Sequence, residues 1–394
     1  MATPLALVYE TMPPTSGGGC APRGDAFTRA VAQHGAFGPV AVYTTTSNPS
    51  PIEGTTIYTV GGGSERRESL AHRLLGELAF GLRVAMHVLR SNPRTLWVIS
   101  TPSYVAMLVV AMVVRLRRAR YALDIRDIYP QAYIAAGLLR QGGLPARLLS
   151  SFSKQAYSGA TAIITATEGL EVAVRNIVPA AEPHTIINGF SRGRDDVAPV
   201  QHERFTVCFH GVLGYFQDSA SLLEVGRQLE AHNIDMVVIG YGRDAPSFEL
   251  SGVGNLRFLG RLPYDQTIQE VARCHVGLSL RKDEEISADS FPVKVWEYLG
   301  LGMPTLVAPR SDAGDFVVRN GCGYVLDAGD VERAVSTIVA LRDDPKLYEE
   351  MSARALTAVA PYSRASQAAQ VAQILSTNEH SSSAAGDHDA QNAQ

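Results

Sequence analysis

A short run of residues near position 292 combines side chains that suit a bound phosphate and sugar. Pro292 fits the first turn of a helix, where its missing N–H costs nothing, and the free backbone N–H groups of such a turn attract an anion. Lys294 adds a cation, and Glu297 follows about one turn later, where a carboxylate could bind a ribose diol. The pattern predicts a nucleotide site at a helix start, with a surface Lys–Glu pair on an amphipathic helix as the alternative.

A second run places two charges directly after a predicted buried strand that ends at residue 125. Arg126 could hold a phosphate with its planar guanidinium, and Asp127 could orient a hydroxyl or stabilise positive charge on a sugar ring. Ligands of parallel sheets bind at the carboxyl ends of the strands. Both residues are therefore candidates for catalysis, and a salt-bridged pair in a loop is the alternative.

Two further runs could contact a ligand. Glycines 17–19, with Arg23 after them, would let the backbone approach a ligand closely, although a flexible loop has the same composition. Residues 115–120 (RLRRAR) follow an apolar stretch, and a basic cluster beside apolar residues can bind anionic lipid head groups. A solvated helix end is the alternative for this cluster.

Several familiar sites are missing from the sequence. It contains no GxGxxG, Walker P-loop, HExxH or GxSxG pattern, which disfavours dehydrogenases, P-loop NTPases, zinc proteases and α/β-hydrolases. The four cysteines are far apart and are expected to be free, buried thiols. His210, the one histidine predicted near a ligand edge, is expected to be a buried structural residue. The net charge of −4, with no basic stretch interleaved with aromatic residues, argues against a nucleic-acid partner.

The size and charge of the chain indicate two domains with different partners. A single core rarely exceeds about 250–300 residues, and this chain has 394, with 46% hydrophobic residues. Residues 1–200 contain 19 lysines and arginines against 13 acids, whereas the remainder contains 16 against 26. We find neither a run long enough to span a membrane nor a secretory leader, and we predict a cytoplasmic protein.

Strands alternate with helices twice along the chain, which predicts an α/β fold of two doubly wound parallel sheets facing across a cleft. The first predicted domain comprises residues 1–190, and a polar linker follows at 191–204. The second comprises residues 205–360. A C-terminal helix at 361–378 could cross back to the first domain, and the tail at 379–394 has almost no large apolar residue and is predicted to be disordered.

These motifs, in this order, resemble the GT-B retaining glycosyltransferases of family 4, and among them the subgroup that builds bacterial surface polysaccharides and O-antigens. The resemblance covers about residues 4–375. It rests on several runs that match the family at similar spacings: the proline-glycine loop at 13–19, RDIYP at 126–130, IING at 186–189, GYG at 240–242, FLGRLP at 258–263 and PVKVWEYLGLGMP at 292–304.

The resemblance implies a nucleotide-sugar transferase whose donor binds mainly to the C-terminal domain. By this resemblance, Glu297 of this chain would bind the ribose, Asp289 would contact the donor sugar, and Arg261 would lie beside the base. Backbone amides and cations would neutralise the diphosphate, so no metal or other cofactor is expected. The implied donor-binding residues are Gly211, Gly214, Gly240, Arg261, Leu262, Asp289, Ser290, Phe291, Lys294 and Glu297.

The same resemblance assigns residues of the first domain. Arg126 and Asp127 would act in catalysis together with Lys294, and Asp127 is the best side-chain candidate for a general base. The implied acceptor-side residues are Gly18, Gly19, Arg23 and Tyr129. The acceptor is expected to be a glycan or a lipid-linked glycan, with an anionic membrane surface as a further partner of the basic first domain.

The sequence departs from the family at two places. Asp289 is shorter than the family's glutamate, and the family's phosphate-binding Arg and Lys have no counterpart in residues 214–218. Neutralisation of the diphosphate would then fall to Lys294, aided by Arg281, Lys282 or Arg126. We therefore predict a retaining transfer from a UDP-sugar. Three other functions stay open: a nucleotide-sugar epimerase, a degenerate nucleotide-binding partner subunit and a retaining glycosidase. For a transferase, a soluble small molecule is the alternative acceptor.

Overall fold

A computed structural model of the chain describes residues 2–13, 20–61, 70–135, 138–197, 200–214, 216–283 and 291–391. Internal contacts divide the chain into two compact units. The first unit comprises residues 1–187 together with 364–394, and the second comprises residues 188–363. Each unit is built on a parallel sheet of its own.

The sheet of the first unit has the strand order β3-β2-β1-β4-β5-β6-β7, and every pairing in it is parallel. Strands β4 and β6 are buried along their whole length, as expected for a parallel sheet covered on both faces. The order reverses between β1 and β4, which is the switch point where ligands bind in doubly wound folds. The strands are β1 Thr3–Val8, β2 Phe37–Thr44, β3 Thr55–Thr59, β4 Leu96–Ser100, β5 Arg120–Ile125, β6 Ala162–Thr165 and β7 His184–Thr185.

The first helices of the chain cover both faces of this sheet. They are α1 Cys20–Gln33, α2 Leu70–Arg90, α3 Tyr104–Leu116, α4 Gln131–Ala135, α5 Leu144–Ser158 and α6 Glu168–Ile177. Helices α2, α3 and α5 contribute Val84, Met107 and Tyr157 to one core together with Trp97 of β4. They therefore lie on the same face of the sheet, whereas α1 packs on the opposite face.

The second unit repeats the arrangement with the strand order β10-β9-β8-β11-β12-β13, again parallel throughout. Its switch point lies between β8 and β11. The strands are β8 Thr206–Val212, β9 Asp235–Tyr241, β10 Leu256–Phe258, β11 Val276–Leu280, β12 Thr305–Ala308 and β13 Gly323–Val325.

The helices of the second unit are positioned by caps and apolar faces. Helix α8 begins after Asp218, whose carboxylate accepts a hydrogen bond from the Ser221 N–H (3.1 Å). Helix α11 begins after Pro292, as the sequence predicts. The helices are α7 Arg194–Val197, α8 Ser219–Glu230, α9 Ala245–Glu249, α10 Tyr264–Ala272, α11 Val293–Gly300, α12 Asp312–Arg319, α13 Val331–Asp343 and α14 Pro345–Val359.

The C-terminal helix, α15 Arg364–Gln391, belongs to the first unit and packs against α1. Its Val371 and Leu375 are buried in the core beneath α1, next to Leu7 and Val98 of the sheet. The helix extends into the range 379–394, for which the sequence predicts disorder, and that compositional prediction stays a prediction. The predicted pair of doubly wound parallel sheets is confirmed.

Candidate functional site

The switch point of the second sheet brings three chain segments together. The loop after β8 is tied to the end of β11 by a bridge between Gln217 and Arg281. The Asp218 N–H also donates to the Leu280 carbonyl (3.1 Å). Helix α11 contacts β11 and presents its first turns to the end of β8. A ligand edge is therefore assembled from residues that are up to about 80 positions apart in sequence.

Glycines let the backbone pass closely at this edge. Gly211 has φ of +127°, and a Cβ on it would lie 3.4 Å from the Lys294 Nζ. A Cβ on Gly240 would lie only 2.3 Å from the Gly211 carbonyl oxygen, so no side chain fits there. Gly214 follows in the loop after β8, also with positive φ. Three of the predicted donor-binding glycines are thus grouped around the end of β8 and its neighbour β9.

Lys294 is buried at this edge, with 9% of its surface exposed. Its Nζ donates to the Gln217 Oε1 (3.0 Å) and lies 3.7 Å from the ring centroid of Phe209. Burial holds the pKa of Lys294 well below its usual range, the nearby Arg281 lowers the pKa further, and Glu297 opposes both effects. A buried lysine in this state favours an anionic ligand, because the anion would compensate its lost hydration.

Glu297 lies one turn further along α11 and is only 4% exposed. Its Oε1 accepts a hydrogen bond from the Tyr264 hydroxyl (2.9 Å), and its Oε2 lies 3.2 Å from the His210 Nε2. Burial, with a smaller contribution from Lys294, lowers the pKa of His210 to about 3. The imidazole is therefore neutral at neutral pH, and its short contact with Glu297 is not an ion pair. Nor does His210 Nε2 make a hydrogen bond of acceptable geometry within the described part of the chain.

Tyr298 fixes the relative positions of β8, β11 and α11. Its hydroxyl accepts a hydrogen bond from the His210 N–H (3.1 Å) and donates one to the Leu278 carbonyl (3.4 Å). Its ring packs edge-on against the His210 imidazole, with 5.2 Å between centroids. Lys294 and Glu297 therefore project towards the end of β8 from a helix that is anchored to two adjacent strands, and the structure brings the two predicted residues together.

Other predicted donor-binding residues lie around this core. Arg261 is exposed and stacks on the Tyr241 ring at 4.3 Å, while Leu262 is half-buried against the core next to α10. Phe291 stacks on Trp296, with 4.0 Å between centroids, so it is held by an aromatic cluster. Asp289 and Ser290 lie outside the described residues.

In the first unit, Arg23 and Asp124 form a buried ion pair. Arg23 is 1% exposed; its Nη2 donates to the Asp124 Oδ1 (2.8 Å), and its Nη1 donates to the Ile186 carbonyl (2.7 Å). Asp124 also accepts from the Ser100 hydroxyl (2.8 Å), which ties β4 to β5. Arg23 therefore stabilises the fold by joining α1 to β5 and to residue 186. Its predicted contact with an acceptor stays a prediction.

Arg126 and Asp127 follow β5 and are half-buried. The Arg126 N–H donates to the Thr101 hydroxyl (2.8 Å), which links the ends of β4 and β5. Burial raises the pKa of Asp127, and Arg126 and Arg73 partly offset that effect. A raised pKa suits a carboxyl group that exchanges a proton. The structure thus places both candidates at the carboxyl edge of the sheet.

The remaining predicted acceptor-side residues are Tyr129 and the glycines at 18 and 19. Tyr129 is 5% exposed and stacks on Tyr104, with 4.8 Å between ring centroids, so its ring belongs to the core. Gly18 and Gly19 lie outside the described residues.

Sequence reasoning missed a carboxylate pair at the same edge. Glu77 of α2 is fully buried, accepts hydrogen bonds from the Arg73 Nε (3.1 Å) and the Val105 N–H (3.0 Å), and burial raises its pKa to about 7. Glu10, at the end of β1, accepts a hydrogen bond from the Ser103 hydroxyl. The available signal was that Glu77 is the one acid in a helix that is otherwise apolar and basic.

Three cysteines, Cys208, Cys274 and Cys322, are buried and free, in line with the prediction for them. Among the described residues, no three His, Cys, Asp or Glu side chains converge as a metal-binding group would. Within that same part of the chain, no helix is both long and apolar enough to cross a bilayer.

Comparison with known proteins supports the fold of the whole chain and matches most of the second unit to a protein family. Residues 194–358 match the family model "Glycosyl transferases group 1", a range that includes Lys294 and Glu297. No curated protein sequence matches the chain.

Three solved structures illustrate the likeness over nearly the whole chain. WaaG, described as a glycosyltransferase involved in lipopolysaccharide biosynthesis, is 14% identical, with 94% of this chain and 99% of WaaG covered and a TM-score of 0.69. Anabaena Alr3699/HepE in complex with UDP and glucose is 14% identical, with 95% and 100% covered and a TM-score of 0.65. Sucrose-phosphate synthase from Thermosynechococcus elongatus is 12% identical, with 96% and 100% covered and a TM-score of 0.70. The chain therefore has the GT-B fold of these proteins, and its residues 194–358 match the group 1 glycosyltransferase model.

Proposed function

We propose that this protein is a glycosyltransferase that moves a sugar from a nucleoside diphosphate donor, most favourably a UDP-sugar, to an acceptor hydroxyl. The observation that carries the proposal is the joint position of Lys294 and Glu297, buried side by side at the switch point of the second sheet. The match of residues 194–358 to the group 1 glycosyltransferase model supports it, as does the likeness to HepE, which has been solved with UDP and with UDP-glucose.

The donor would use groups that are already in place. A carboxylate can accept several hydrogen bonds, so Glu297, which accepts one from Tyr264, is chemically suited to bind a ribose diol. The diphosphate would lie against Lys294 and the free N–H groups at the start of α11. The anion would raise the lowered pKa of Lys294, so the lysine would be fully charged when the donor is bound.

Catalysis would consist mainly of positioning and charge stabilisation. Departure of the sugar as an oxocarbenium-like species leaves negative charge on the diphosphate, and a preorganised cation in a water-poor site stabilises that charge strongly. With retention of configuration the acceptor approaches from the leaving-group face, so the departing phosphate oxygen can take the acceptor's proton. Asp127, with its raised pKa, is the best side-chain candidate for the same task. We propose no divalent metal, which predicts that turnover survives EDTA.

The proposed acceptor is a lipid-linked glycan in cell-surface polysaccharide synthesis, used at the inner face of the cell membrane. The excess of arginine in residues 1–200 supports an anionic, amphiphilic partner. The likeness to WaaG, a protein of lipopolysaccharide biosynthesis, agrees with this choice. A soluble small-molecule acceptor is the alternative, and transfer to a water-soluble hydroxyl compound in the absence of lipid would favour it.

Thermal unfolding with UDP-, GDP-, ADP- and dTDP-sugars, followed by a transfer assay, tests the proposal. We expect UDP-sugars to raise Tm most, since a ligand that binds only the native state stabilises it. Lys294→Ala and Glu297→Ala should each lower turnover at least 100-fold and abolish the UDP-dependent rise in Tm. The matched controls are Lys346→Ala and Glu349→Ala, an exposed pair at the same spacing in α14, which should behave as the wild type. Full activity of both site variants would refute the assignment.

One observation favours a second candidate, a nucleotide-binding partner subunit without turnover. Gln217 contacts Lys294 in the segment where the resembled family carries Arg and Lys, so the site holds fewer cations than that family uses. Such a protein would show the UDP-dependent rise in Tm but release no UDP from UDP-sugars with any acceptor. Release of UDP without an acceptor would instead indicate an epimerase-type reaction.

A further inference from the structure

Helix α2 has two apolar faces, and only one of them is covered by the part of the chain that the structure describes. Phe80, Val84 and Val88 are buried against the first sheet. A second stripe recurs at intervals of three or four residues, so its members lie on one side of the helix and point away from the sheet. These residues are exposed by 36–59%: Leu75, Leu78, Leu82, Met86 and Leu89.

Helices α3 and α5 continue this surface. Both pack on the same face of the sheet as α2, and α3 contacts both of its neighbours. Leu144, Leu148 and Phe152 recur every four residues on α5 and are 71%, 51% and 46% exposed. Met112 and Leu116 of α3 are 52% and 76% exposed. Exposed apolar side chains concentrated on neighbouring helices of one face indicate an interaction site. We call these ten side chains of α2, α3 and α5 the outer apolar face.

The exposed charges on the three helices that carry the outer apolar face, and in the turn after α3, have a single sign. Its helices and the turn after α3 contribute exposed arginines: Arg83, Arg90, Arg115, Arg118 and Arg147. The one acid in the three helices is Glu77, which is buried and paired with Arg73. A second copy of this chain would bring arginine against arginine, since a two-fold interface joins the same patch on both copies. On an anionic lipid surface, the arginines would bind the head groups and the apolar side chains would contact the hydrocarbon region.

A cavity of about 240 Å³ lies between α3 and α5. Its lining is mostly apolar and includes Val105, Leu108 and Val109, while Met112 and Phe152 belong both to the cavity and to the outer apolar face. Arg115 also lines it and is held by a hydrogen bond from its Nη1 to the Gln155 carbonyl (2.9 Å). An apolar slot with an arginine beside it suits a hydrocarbon chain that carries an anionic head group.

We infer that the outer apolar face docks on an anionic lipid bilayer and that the cavity between α3 and α5 receives one lipid hydrocarbon chain. This inference rests on the proposed function, because it names the surface by which the protein would reach a lipid-linked acceptor. Its test requires no sugar transfer, however, so the two can fail separately.

Vesicle flotation of the full chain tests the docking surface. We expect binding to vesicles of phosphatidylglycerol and phosphatidylcholine, little binding to phosphatidylcholine alone, and weaker binding at high salt because the charge attraction is screened. Leu82→Ser combined with Leu148→Ser should weaken binding at least tenfold. Both positions are about half exposed, so the fold should tolerate the changes. The matched control combines Leu250→Ser and Val318→Ser, which are exposed apolar residues of the second unit and should leave binding unchanged.

Tryptophan quenching tests the cavity. Trp97 and Trp296 are buried, so a Phe152→Trp variant adds one lipid-accessible reporter. Brominated acyl chains in phosphatidylglycerol vesicles should quench its fluorescence, and Leu250→Trp in the second unit should show no added quenching. Equal quenching of the two reporters would overturn the chain-binding part of the inference.

The docking part is overturned if the full chain does not float with phosphatidylglycerol vesicles at low salt, or if the double serine variant binds as well as the wild type. It is also overturned if sedimentation shows a dimer that the same variant disperses, because a second copy would then occupy the face. The UDP-dependent rise in Tm, measured on the same variants, should be unaffected. If UDP does not raise the Tm of the wild type, that result counts against the proposed function and not against lipid docking.

Discussion

The two sheets each hold a buried basic side chain at their ligand edge, and the two are satisfied very differently. Arg23 is paired with Asp124 by several hydrogen bonds and donates another to a carbonyl. Lys294, within the described residues, donates one hydrogen bond, to the neutral side chain of Gln217. The first arrangement is complete without a ligand and stabilises the fold, whereas the second would be completed by the anionic donor that we propose. Burial of a charge alone therefore does not mark a binding site; incomplete compensation of that charge does.

Breaking each arrangement should have opposite consequences. Asp124→Asn leaves the Arg23 guanidinium buried without its counter-charge and should lower the free energy of unfolding by about 3–5 kcal/mol. Lys294→Met removes a poorly compensated cation and should change that free energy by less than about 1 kcal/mol while abolishing UDP binding. Urea unfolding of both variants measures the difference. Equal destabilisation by the two would show that the comparison is wrong.

The two edges should also respond to pH in opposite directions. Burial raises the pKa of Glu77 to about 7, so its contribution to stability is full below about pH 4.5 and is lost as pH rises through 7. Burial lowers the pKa of His210 to about 3, so stability present above about pH 6.5 is lost as pH falls towards 3. At about 1.4 kcal/mol per pH unit, Glu77→Gln should gain about 3 kcal/mol relative to the wild type between pH 4.5 and 7.5.

The His210→Gln variant supplies the opposite arm of that experiment. It should gain about 2 kcal/mol relative to the wild type as pH falls from 6.5 to 5, because the wild type alone then loses stability through the histidine. Urea unfolding across the pH range gives both slopes. If either variant runs parallel to the wild type, the corresponding burial does not control stability.

The smallest expected effect concerns the orientation of Glu297. Tyr264→Phe removes the hydrogen bond to the Glu297 Oε1 and should weaken UDP binding about fivefold with little change in kcat, since the residue acts through Glu297. Tyr324→Phe, at a half-buried tyrosine of β13, is the control and should bind UDP normally. A loss in kcat with unchanged UDP affinity would mean that Tyr264 acts on the reacting groups instead.

The sequence was informative where function depends on local spacing. Alternating strands and helices predicted both sheets, and the three-residue separation of Lys294 and Glu297 predicted that they share a helix face. Long-range partners could not be predicted in this way. Asp124 lies 101 positions from Arg23, and Tyr264 lies 33 positions from Glu297, so no local pattern reveals either contact.

Burial was equally hard to predict from the sequence. The apolar residues of α2 have helical spacing on two sides, and periodicity alone cannot tell which side is covered by the sheet. Tyr129 follows two candidate catalytic residues, yet its ring is buried and packs against Tyr104 and Tyr133, which are 25 and 4 positions away in the sequence. Glu77 can be singled out in the sequence as the one acid of α2, but its spacing does not predict that the side chain is fully buried.

The position of α15 has a consequence for how the protein is made. The core beneath α1 includes Ala368, Val371, Ala372 and Leu375, which lie at the opposite end of the chain from the strands they cover. During synthesis the first unit therefore lacks part of its core until residues 368–375 have been made, whereas the second unit has all of its residues by 363. The half of the molecule that emerges first is the last to close, and a premature stop in α15 would damage the beginning of the chain rather than its end.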